Sequence, residues 1–329
     1  MSLFALLFAL LVEQVRPLGA GNAIHAGMRA WVRWSQRNFD AGGRQHGWLA
    51  WAMAVLAPAL AALAVHWLLT WLVGWPLAML WDAAVLYATL GFRQFSHHFT
   101  GIRDALEAGD ETLARQRLAD WQQVDASEVP RSEIVRHAIE YSVLAAHRHV
   151  FGVLVWYSIG QALGLGACGA VLYRLAEFAP RYWRRRAAQT DPRSSTVSAA
   201  LRDSAARAWH AIDWLPARCT ALGFAVVGSF EDAVDSWRRY AQRFPDDNDG
   251  VVLAATSGAL NVRLGGEALR PRAAASAEPA ADDEALDVEP TAGAEPEFAH
   301  LRSVVGLVWR NVVLWVVLIA LLTLAHLVG

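Results

Sequence analysis

Long apolar runs alternate with polar stretches along the chain. Residues 2–12 are apolar, residues 47–74 contain no Asp, Glu or Arg, and three further apolar runs cover residues 75–92, 150–175 and 304–328. A helix of about 20 apolar residues crosses the roughly 30 Å hydrocarbon layer of a bilayer. The pattern therefore predicts an all-α, polytopic integral membrane protein with about four to five transmembrane helices, in which 47–74 and 75–92 form a helical hairpin.

The polar stretches between these runs predict helices at the membrane surface. Residues 93–149 show apolar positions at helical spacing, and a Gly109–Asp110 break divides the first part of this helical insert into two short helices. Residues 195–212 and 231–243 are typical of amphipathic helices. Residues 214–230 begin with polar side chains and then become apolar, so we expect them to form a re-entrant segment.

The composition changes sharply near the end of the chain. Residues 271–300 consist mainly of Ala, Pro and acidic residues, which bury too little apolar surface to offset the entropy of ordering. We therefore predict one integrated membrane domain over residues 1–270, a disordered acidic linker over 271–300, and a C-terminal transmembrane helix within 301–329.

The positive-inside rule gives two conflicting indications of topology. The basic run at 181–186 marks the cytoplasmic side, but residues 13–46 also carry five Arg, and a single crossing by 150–175 would separate these segments. Either 150–175 re-enters on the same side, or the N-terminal segment breaks the trend. We favour a cytoplasmic location for 181–186 in a multi-pass protein of the bacterial inner membrane.

Overall composition supports a membrane protein and excludes several enzyme classes. Hydrophobic residues make up 55% of the 329 positions, and the mean hydropathy is +0.24. All 29 basic residues are Arg. The absence of Lys excludes a Walker-A phosphate loop, a protein-kinase site and a pyridoxal Schiff base, since each requires one. The lipid bilayer is the expected partner, nucleic acid is not, and the sequence leaves homo-oligomerisation open.

Two polar motifs are candidates for binding an anion. Asp213 is placed to cap a helix start, Pro216 suits a first turn, and Arg218 would point back toward Asp213 or toward a phosphate. Arg263 precedes Gly265 and Gly266, which allow close backbone approach to a ligand. The alternatives are a structural cap with an ion pair in the first case and a surface turn in the second.

The apolar runs also contain ionisable residues. Asp82 lies inside 75–92, where an acid is costly, and we expect it to pair with Arg310 or to bind a proton or substrate. Four histidines flank the helical insert, but their spacing fits no i, i+4 pair, and we predict no metal site; they are His97, His98, His147 and His149.

Three segments, in this order, resemble the CobD/CbiB proteins of cobalamin synthesis: "ALEAGDETLARQRL" with "SEIVRHAIEYS" (105–118 and 132–142), "AIDWLPARCTAL" (211–222) and "DNDGVVLAATSGALNVRLGG" (247–266). The resemblance implies an ATP-dependent amide synthetase that joins aminopropanol, or its phosphate, to the carboxylate of adenosylcobyric acid, with ATP and Mg²⁺ as cofactors. It implicates, as binding residues, Asp110, Arg115, Arg136, Glu140, Asp213, Arg218, Asn248, Gly250, Arg263, Gly265 and Gly266.

Other features resemble AmpE, a related membrane protein of β-lactamase induction and cell-wall recycling. Residues 143–157 and 172–183 lack the acidic and amide residues of the synthases, whereas "VLVWY" (153–157) and "AIDWLPAR" (211–218) are similar to AmpE. The chain thus combines features of both groups. We therefore expect an AmpE-like, non-catalytic accessory or sensor. The alternatives are the synthase and a small-solute transporter, and the expected ligand is a corrinoid or a cell-wall fragment.

Overall fold

The computed structural model describes residues 2–15, 22–189, 197–267, 269 and 288–328, and the regular structure in these ranges is helical. The thirteen α-helices in these ranges are α1 (Ser2–Val15), α2 (Ala23–Phe39), α3 (Arg44–Leu72), α4 (Trp75–Thr89), α5 (Phe92–Glu107), α6 (Glu111–Gln122), α7 (Arg131–Ala146), α8 (Gly152–Ala162), α9 (Cys168–Gln189), α10 (Ala199–Val227), α11 (Phe230–Tyr240), α12 (Asp247–Leu260) and α13 (Phe298–Val328). The predicted all-α class is confirmed, as is the break between the short helices α5 and α6.

The chain forms two compact units that are not continuous in sequence. Unit 1 comprises residues 1–93, 148–216 and 316–329, and unit 2 comprises 94–147 and 217–315. The sequence predicts one domain over residues 1–270, whereas the structure places nearly all of the helical insert in unit 2.

By length and apolarity, two of the described helices, α3 and α13, are able to cross a membrane. The predicted span at 75–92 is instead the 15-residue helix α4. Its length of about 22 Å is less than the thickness of the hydrocarbon layer. The short apolar helix predicted at the N-terminus is present as α1.

The predicted span over 150–175 is wrong, because this segment is a helical hairpin. Helices α8 and α9 are separated by a turn in which Gly164 and Gly166 have φ of +70° and +58°. A Cβ on Gly160 would lie 2.7 Å from the Gly166 carbonyl. At a greater distance from the turn, Gly152 packs against the Tyr173 ring. These small residues let the two helices pack antiparallel at very short range. Of the two topologies left open, the structure therefore has the one in which the segment returns to its starting side.

The α3–α4 and α8–α9 hairpins of unit 1 point the same way. At their turns, the Trp67 indole N–H donates to the Gly164 carbonyl at 3.1 Å. At their open ends, the Gly91 N–H donates to the His149 carbonyl at 3.4 Å. Beyond the open ends, Arg33 of α2 donates to the Tyr182 hydroxyl at 3.2 Å. Both Arg-rich segments of unit 1 therefore lie at the end opposite the hairpin turns.

Helix α10 runs continuously through the segment predicted to begin a new element. Asp213 and Pro216 lie in its interior, so Asp213 is not a helix cap and 214–230 is not a separate re-entrant segment. A proline inside a helix leaves the carbonyl four residues earlier without its donor. Here that carbonyl belongs to Ile212, and the Trp156 indole N–H donates to it at 3.1 Å. This side-chain contact compensates for the proline.

In unit 2, residues 288–294, which lie within the predicted linker, pack against the loop that follows α12. Isolated bridges join Val262 to Ala294 and Gly266 to Val288. The Thr291 hydroxyl accepts from the Leu264 N–H at 2.9 Å. Residues 288–297 are therefore part of the folded unit rather than of a disordered linker, whereas residues 271–287 of the predicted linker lie outside the described residues.

Candidate functional site

The central polar cluster of unit 2 surrounds Arg136 on α7, whose side chain is 3% exposed. Its Nε donates to Glu133 at 2.8 Å, and its Nη1 donates to Glu140 at 3.0 Å. Its Nη2 donates to the Glu267 carbonyl at 2.7 Å. The same Nη2 lies 2.9 Å from His137 Nε2, which must accept, because a guanidinium only donates.

Glu140 connects this cluster to the glycine pair predicted as a ligand loop. Its Oε1 accepts from the Gly265 N–H at 2.8 Å across a separation of 125 residues. Gly265 has φ +82° and Gly266 has φ +120°, conformations that favour glycine. A Cβ on Gly266 would lie 3.6 Å from the Arg136 guanidinium carbon. The glycines therefore serve the close approach of the loop to the α7 ion pair.

The environment of the pair keeps both partners charged. Burial raises the pKa of Glu140, but the adjoining His137, the Arg136 charge and the Gly265 N–H together bring it below its usual value. Burial lowers the pKa of Arg136, but Glu140 and Glu133 together raise it above the usual range. Burial and the Glu140 charge raise the pKa of Tyr141 to about 12, so this phenol stays protonated.

The donors of Arg136 are engaged by protein atoms, which gives this residue a structural role. All three guanidinium nitrogens contact carboxylates, the His137 ring or the Glu267 carbonyl. The pair Arg136–Glu140 therefore positions the loop 262–267. By contrast, the Arg263 side chain on this loop is exposed. The backbone N–H of Arg263 donates to the Ala294 carbonyl.

A second pair of predicted residues meets at the start of α12. Arg218 Nη1 donates to Asn248 Oδ1 at 2.9 Å, and Asn248 is 1% exposed. Asp246 caps the helix by accepting from the Asn248 N–H at 2.9 Å. Gly250 packs against the Ala241 carbonyl, which leaves no room for a side chain. Arg218 therefore contacts the 247–266 element, which was not predicted from the sequence; there Arg218 was expected to point toward Asp213 or toward a phosphate.

Two other predicted residues in unit 2 have local structural roles. Asp110 caps α6 by accepting from the Leu113 N–H at 2.9 Å. Arg115 donates to the Val129 carbonyl at 2.7 Å and to Glu111 at 3.1 Å. These contacts hold the helical insert together.

Asp213 belongs to unit 1 and is fully buried there. The Tyr173 hydroxyl donates to its Oδ1 at 2.7 Å.

Glu177 of α9 forms ion pairs with two arginines of the same helix. Arg174 donates to Glu177 at 2.8 Å, and Arg181 also pairs with Glu177. Glu177 was not predicted from the sequence, although its i, i+3 and i, i+4 spacing to these two arginines was an available signal.

The structure gives Asp82 other partners than the predicted Arg310. Its Oδ1 lies 3.0 Å from His66 Nδ1 and accepts from the Ala167 N–H at 3.0 Å, and its Oδ2 accepts from Gln161 at 2.8 Å. Arg310 Nε donates to the Gly306 carbonyl of its own helix at 3.2 Å. His66 was the missed signal, because it lies within the uncharged run 47–74.

The histidines that flank the insert have separate contacts. His147 Nδ1 lies 2.9 Å from the Thr220 hydroxyl, and the His98 ring stacks on Trp121 with ring centroids 5.7 Å apart. Within the described ranges, no cluster of three or more His, Cys, Asp or Glu residues is arranged to hold a metal ion.

Comparison with known proteins identifies the family. The family model described as CobD/Cbib protein matches residues 3–295. The cobalamin biosynthesis protein CobD of Stutzerimonas stutzeri is 31% identical over 280 residues, which cover 84% of this chain and 82% of that protein. The CobD protein of Chromobacterium violaceum is 35% identical over 185 residues, covering 56% of this chain and 55% of that protein.

A third relative, the CobD protein of Mycobacterium tuberculosis, is 29% identical over 277 residues, which cover 81% of this chain and 77% of that protein. No solved structure matches the chain. Because the family match runs through nearly the whole chain and one relative is matched over most of both lengths, this membrane protein belongs to the CobD/CbiB family.

Proposed function

We propose that this protein is the adenosylcobinamide-phosphate synthase of a cobalamin pathway, an ATP-dependent amide ligase. The relatives reported above are all named for cobalamin biosynthesis, and the first of them is matched over 82% of its length. Our sequence-based expectation of an AmpE-like accessory finds no support among them. The synthase, an alternative in the sequence analysis, therefore becomes the proposal.

The observation that carries the proposal within the structure is the convergence of family-like segments in unit 2. The 132–142 segment and the 247–266 segment are joined directly through Glu140 and Gly265. Arg218 comes from the remaining segment, 211–222, and donates to Asn248 of the 247–266 segment. An enzyme needs its site residues held in a fixed geometry by such contacts. If the similar segments lay far apart in the fold, they could not form one site.

The residues at the α12 end of unit 2 fit the expected cofactors. Mg²⁺ is commonly held by one or two carboxylates together with substrate phosphates. Asp247 and Asp249 flank Asn248 in the first turn of α12 and offer such oxygens. ATP bound with Mg²⁺ would activate the acid for amide formation. Arg218 and the exposed Arg263 are the cations that we assign to anionic groups of the substrates.

The test is amide formation by the purified full-length chain. The protein in detergent is incubated with ATP, Mg²⁺, adenosylcobyric acid and aminopropanol phosphate, and the product is measured by mass spectrometry. We expect product from the wild type and at least a tenfold loss in Arg263→Ala, because a charge-assisted contact contributes about 1.5–3 kcal/mol. Arg239→Ala, which removes an exposed arginine paired with Asp235 on α11, is the matched control and should keep full activity.

Absence of product, beside an active preparation of the Stutzerimonas stutzeri relative, would overturn the synthase proposal. Full activity in Arg263→Ala would leave the synthase standing but would remove Arg263 from its site.

We also propose that the protein is a multi-pass protein of the bacterial inner membrane, with the Arg-rich end of unit 1 in the cytoplasm. Support comes from the shared position of α2 and the 181–186 run, which the Arg33–Tyr182 contact brings together. The hairpin turns at the other end lie within the stretches 45–81 and 149–173, which contain neither acids nor arginines. Arginine-rich ends stay in the cytoplasm, so the turns face outward.

A further inference from the structure

The Arg-rich end of unit 1 carries a basic surface that the proposed synthase reaction does not use. Arg33 and Arg37 are exposed and lie one helical turn apart on α2. Arg185 is exposed on α9, where it shares one side of the helix with Arg186 and Tyr182. A hydrogen bond from Arg33 to Tyr182 joins the two helices. These five residues form a surface that is called the arginine face below.

The Tyr182 hydroxyl lies at the centre of the arginine face. It accepts from Arg33 Nε at 3.2 Å and from Arg186 Nη1 at 3.3 Å, and its ring stacks on Phe178 with ring centroids 5.8 Å apart. A phenol oxygen carries two lone pairs and one proton, so the proton is still available for donation. Tyr182 and the outer nitrogens of the exposed Arg33 therefore offer O–H and N–H donors to the same anion.

Positive charge is in excess at this end of unit 1. Three described acids near it have other partners: Asp40 accepts from the N–H groups of Gly42 and Ser198, Glu177 pairs with Arg174 and Arg181, and Asp203 pairs with Arg207. These acids therefore do not neutralise Arg33, Arg37 and Arg185. The arginine face thus fits an anionic ligand by charge as well as by its donors.

The arginine face lies level with the first turns of the membrane-spanning helix α3. The Ser35 hydroxyl donates to the Ala50 carbonyl at 2.6 Å, and the Trp31 indole N–H donates to the Met53 carbonyl at 3.2 Å. Helix α3 has 29 residues and is about 43 Å long, which exceeds the roughly 30 Å hydrocarbon layer. Its first turns therefore lie close to the lipid headgroups, which long arginine side chains can reach.

Exposed apolar side chains beside the arginine face fit the rest of a lipid molecule. Trp34 follows Arg33 on α2, and Trp48 lies in the second turn of α3; both are exposed. Exposed tryptophans concentrate at membrane–water interfaces. Further along α3, Leu56 and Leu60 are exposed in the direction that acyl chains would take. A soluble anion would use only the charged part of this surface, whereas a phospholipid would use all of it.

We propose that the arginine face binds the phosphate of an anionic phospholipid, phosphatidylglycerol, in the leaflet at the Arg-rich end of unit 1. Arg33 and the Tyr182 hydroxyl contact the phosphate, and Arg37 and Arg185 add positive charge around it. Phosphatidylcholine binds more weakly, because these arginines repel its choline cation. The inference depends on the membrane position of α3 and is independent of the synthase reaction, since the proposed synthase residues belong to unit 2.

The first test compares the full-length protein in nanodiscs of phosphatidylcholine with the same protein in nanodiscs that also contain phosphatidylglycerol. The unfolding temperature is followed by tryptophan fluorescence. A lipid that binds only the folded state stabilises it, and we expect a Tm about 2–4 °C higher with phosphatidylglycerol. This rise should shrink at high salt, because exposed charges are screened.

Variants decide whether the rise depends on the arginine face. The double substitution Arg33→Gln and Arg37→Gln removes two exposed charges from the face and should abolish the rise. The matched control is Arg238→Gln with Arg239→Gln, which removes the same charge from exposed arginines of α11 in unit 2 and should leave the rise unchanged.

Two conservative variants separate a defined site from diffuse attraction to a charged surface. Arg33→Lys keeps the charge but loses the planar donor fork, and Tyr182→Phe keeps the aromatic ring but loses the hydroxyl. Native mass spectrometry after release from detergent counts the phosphatidylglycerol molecules that each protein retains. We expect both variants to retain less phosphatidylglycerol than the wild type, with an unchanged Tm in phosphatidylcholine nanodiscs. Wild-type retention in both variants would overturn the site.

Inorganic phosphate, added to the protein in phosphatidylcholine nanodiscs, distinguishes a lipid from a soluble anion. We expect no change in Tm, because free phosphate lacks the acyl chains that contact the apolar part of the surface. A rise equal to that caused by phosphatidylglycerol would assign the arginine face to a soluble anion and overturn the lipid proposal. The proposal would also fall if phosphatidylglycerol left the Tm of the wild type unchanged, or raised the Tm of the double variant equally.

Discussion

Single buried charges in this protein connect segments that are far apart in the sequence. Glu140 accepts from the Arg136 guanidinium on its own helix and from the Gly265 N–H on a distant loop. Asp82 accepts hydrogen bonds from the Gln161 side chain and from the Ala167 N–H, which both belong to the α8–α9 hairpin of unit 1. A buried charge that loses its partners destabilises a fold strongly, so these residues fix the loops that they contact.

We expect Glu140→Gln to lower the apparent free energy of unfolding by about 1–3 kcal/mol at pH 7, because Gln keeps an acceptor for Gly265 but loses the charge facing Arg136. Denaturant titration in detergent, followed by tryptophan fluorescence, measures the change. Glu128→Gln, on an exposed loop of the same unit, is the control and should leave stability unchanged.

The pH dependence of this variant has a definite sign. The pKa of Glu140 is lower in the folded state than usual, so its contribution is complete above the unfolded value of about 4.3 and is lost as the pH falls through the folded value. The stability difference between wild type and Glu140→Gln should therefore shrink on acidification below about pH 4. A difference that grows on acidification would contradict this assignment.

At the scale of helices, small residues and one indole decide where elements bend and where they continue. The α8–α9 hairpin depends on glycines at its closest contacts, including Gly160 and Gly169. Helix α10 continues through Pro216 because Trp156 donates to the Ile212 carbonyl. Both outcomes differ from the predicted single span and from the predicted break, because partners from elsewhere in the fold override local propensity.

We expect Gly169→Ala to destabilise unit 1, because the added Cβ would meet the Trp156 backbone carbonyl, which cannot move without disturbing α8. A loss of about 1–3 kcal/mol is typical of such overpacking and would appear as a lower Tm in detergent. Gly27→Ala is the matched control, since nothing lies within 4 Å of its Cβ position in α2. This substitution should be neutral or stabilise by up to about 1 kcal/mol. Equal effects of the two would argue against tight α8–α9 packing.

In the whole molecule, the chain passes four times between its two units, so neither unit is a continuous stretch of sequence. Within unit 1, two hairpins point in one direction and the Arg-rich segments lie at the other end. This arrangement removes the conflict between residues 13–46 and 181–186 that a single crossing would create. Both segments can then obey the positive-inside rule together.

Cysteine labelling tests this orientation in cells with a permeabilised outer membrane. In a background with Cys168 and Cys219 replaced by Ser, Val73→Cys and Leu163→Cys should react with a membrane-impermeant thiol reagent, because these exposed positions lie at the hairpin turns. Arg185→Cys should react only after the inner membrane is opened. Labelling of Val73→Cys without Leu163→Cys would contradict the parallel arrangement of the two hairpins.

Local sequence patterns are sufficient to predict the helical class, the short helices on either side of Gly109–Asp110, the long apolar helices α3 and α13, and the family. These features depend on local periodicity, capping and ordered motifs, which are properties of neighbouring residues. It could not determine which distant groups meet: His66 with Asp82, Glu140 with Gly265, and Trp156 with the carbonyl freed by Pro216. These pairs depend on the complete fold, because burial removes water as a partner and each polar group must then find one from another segment.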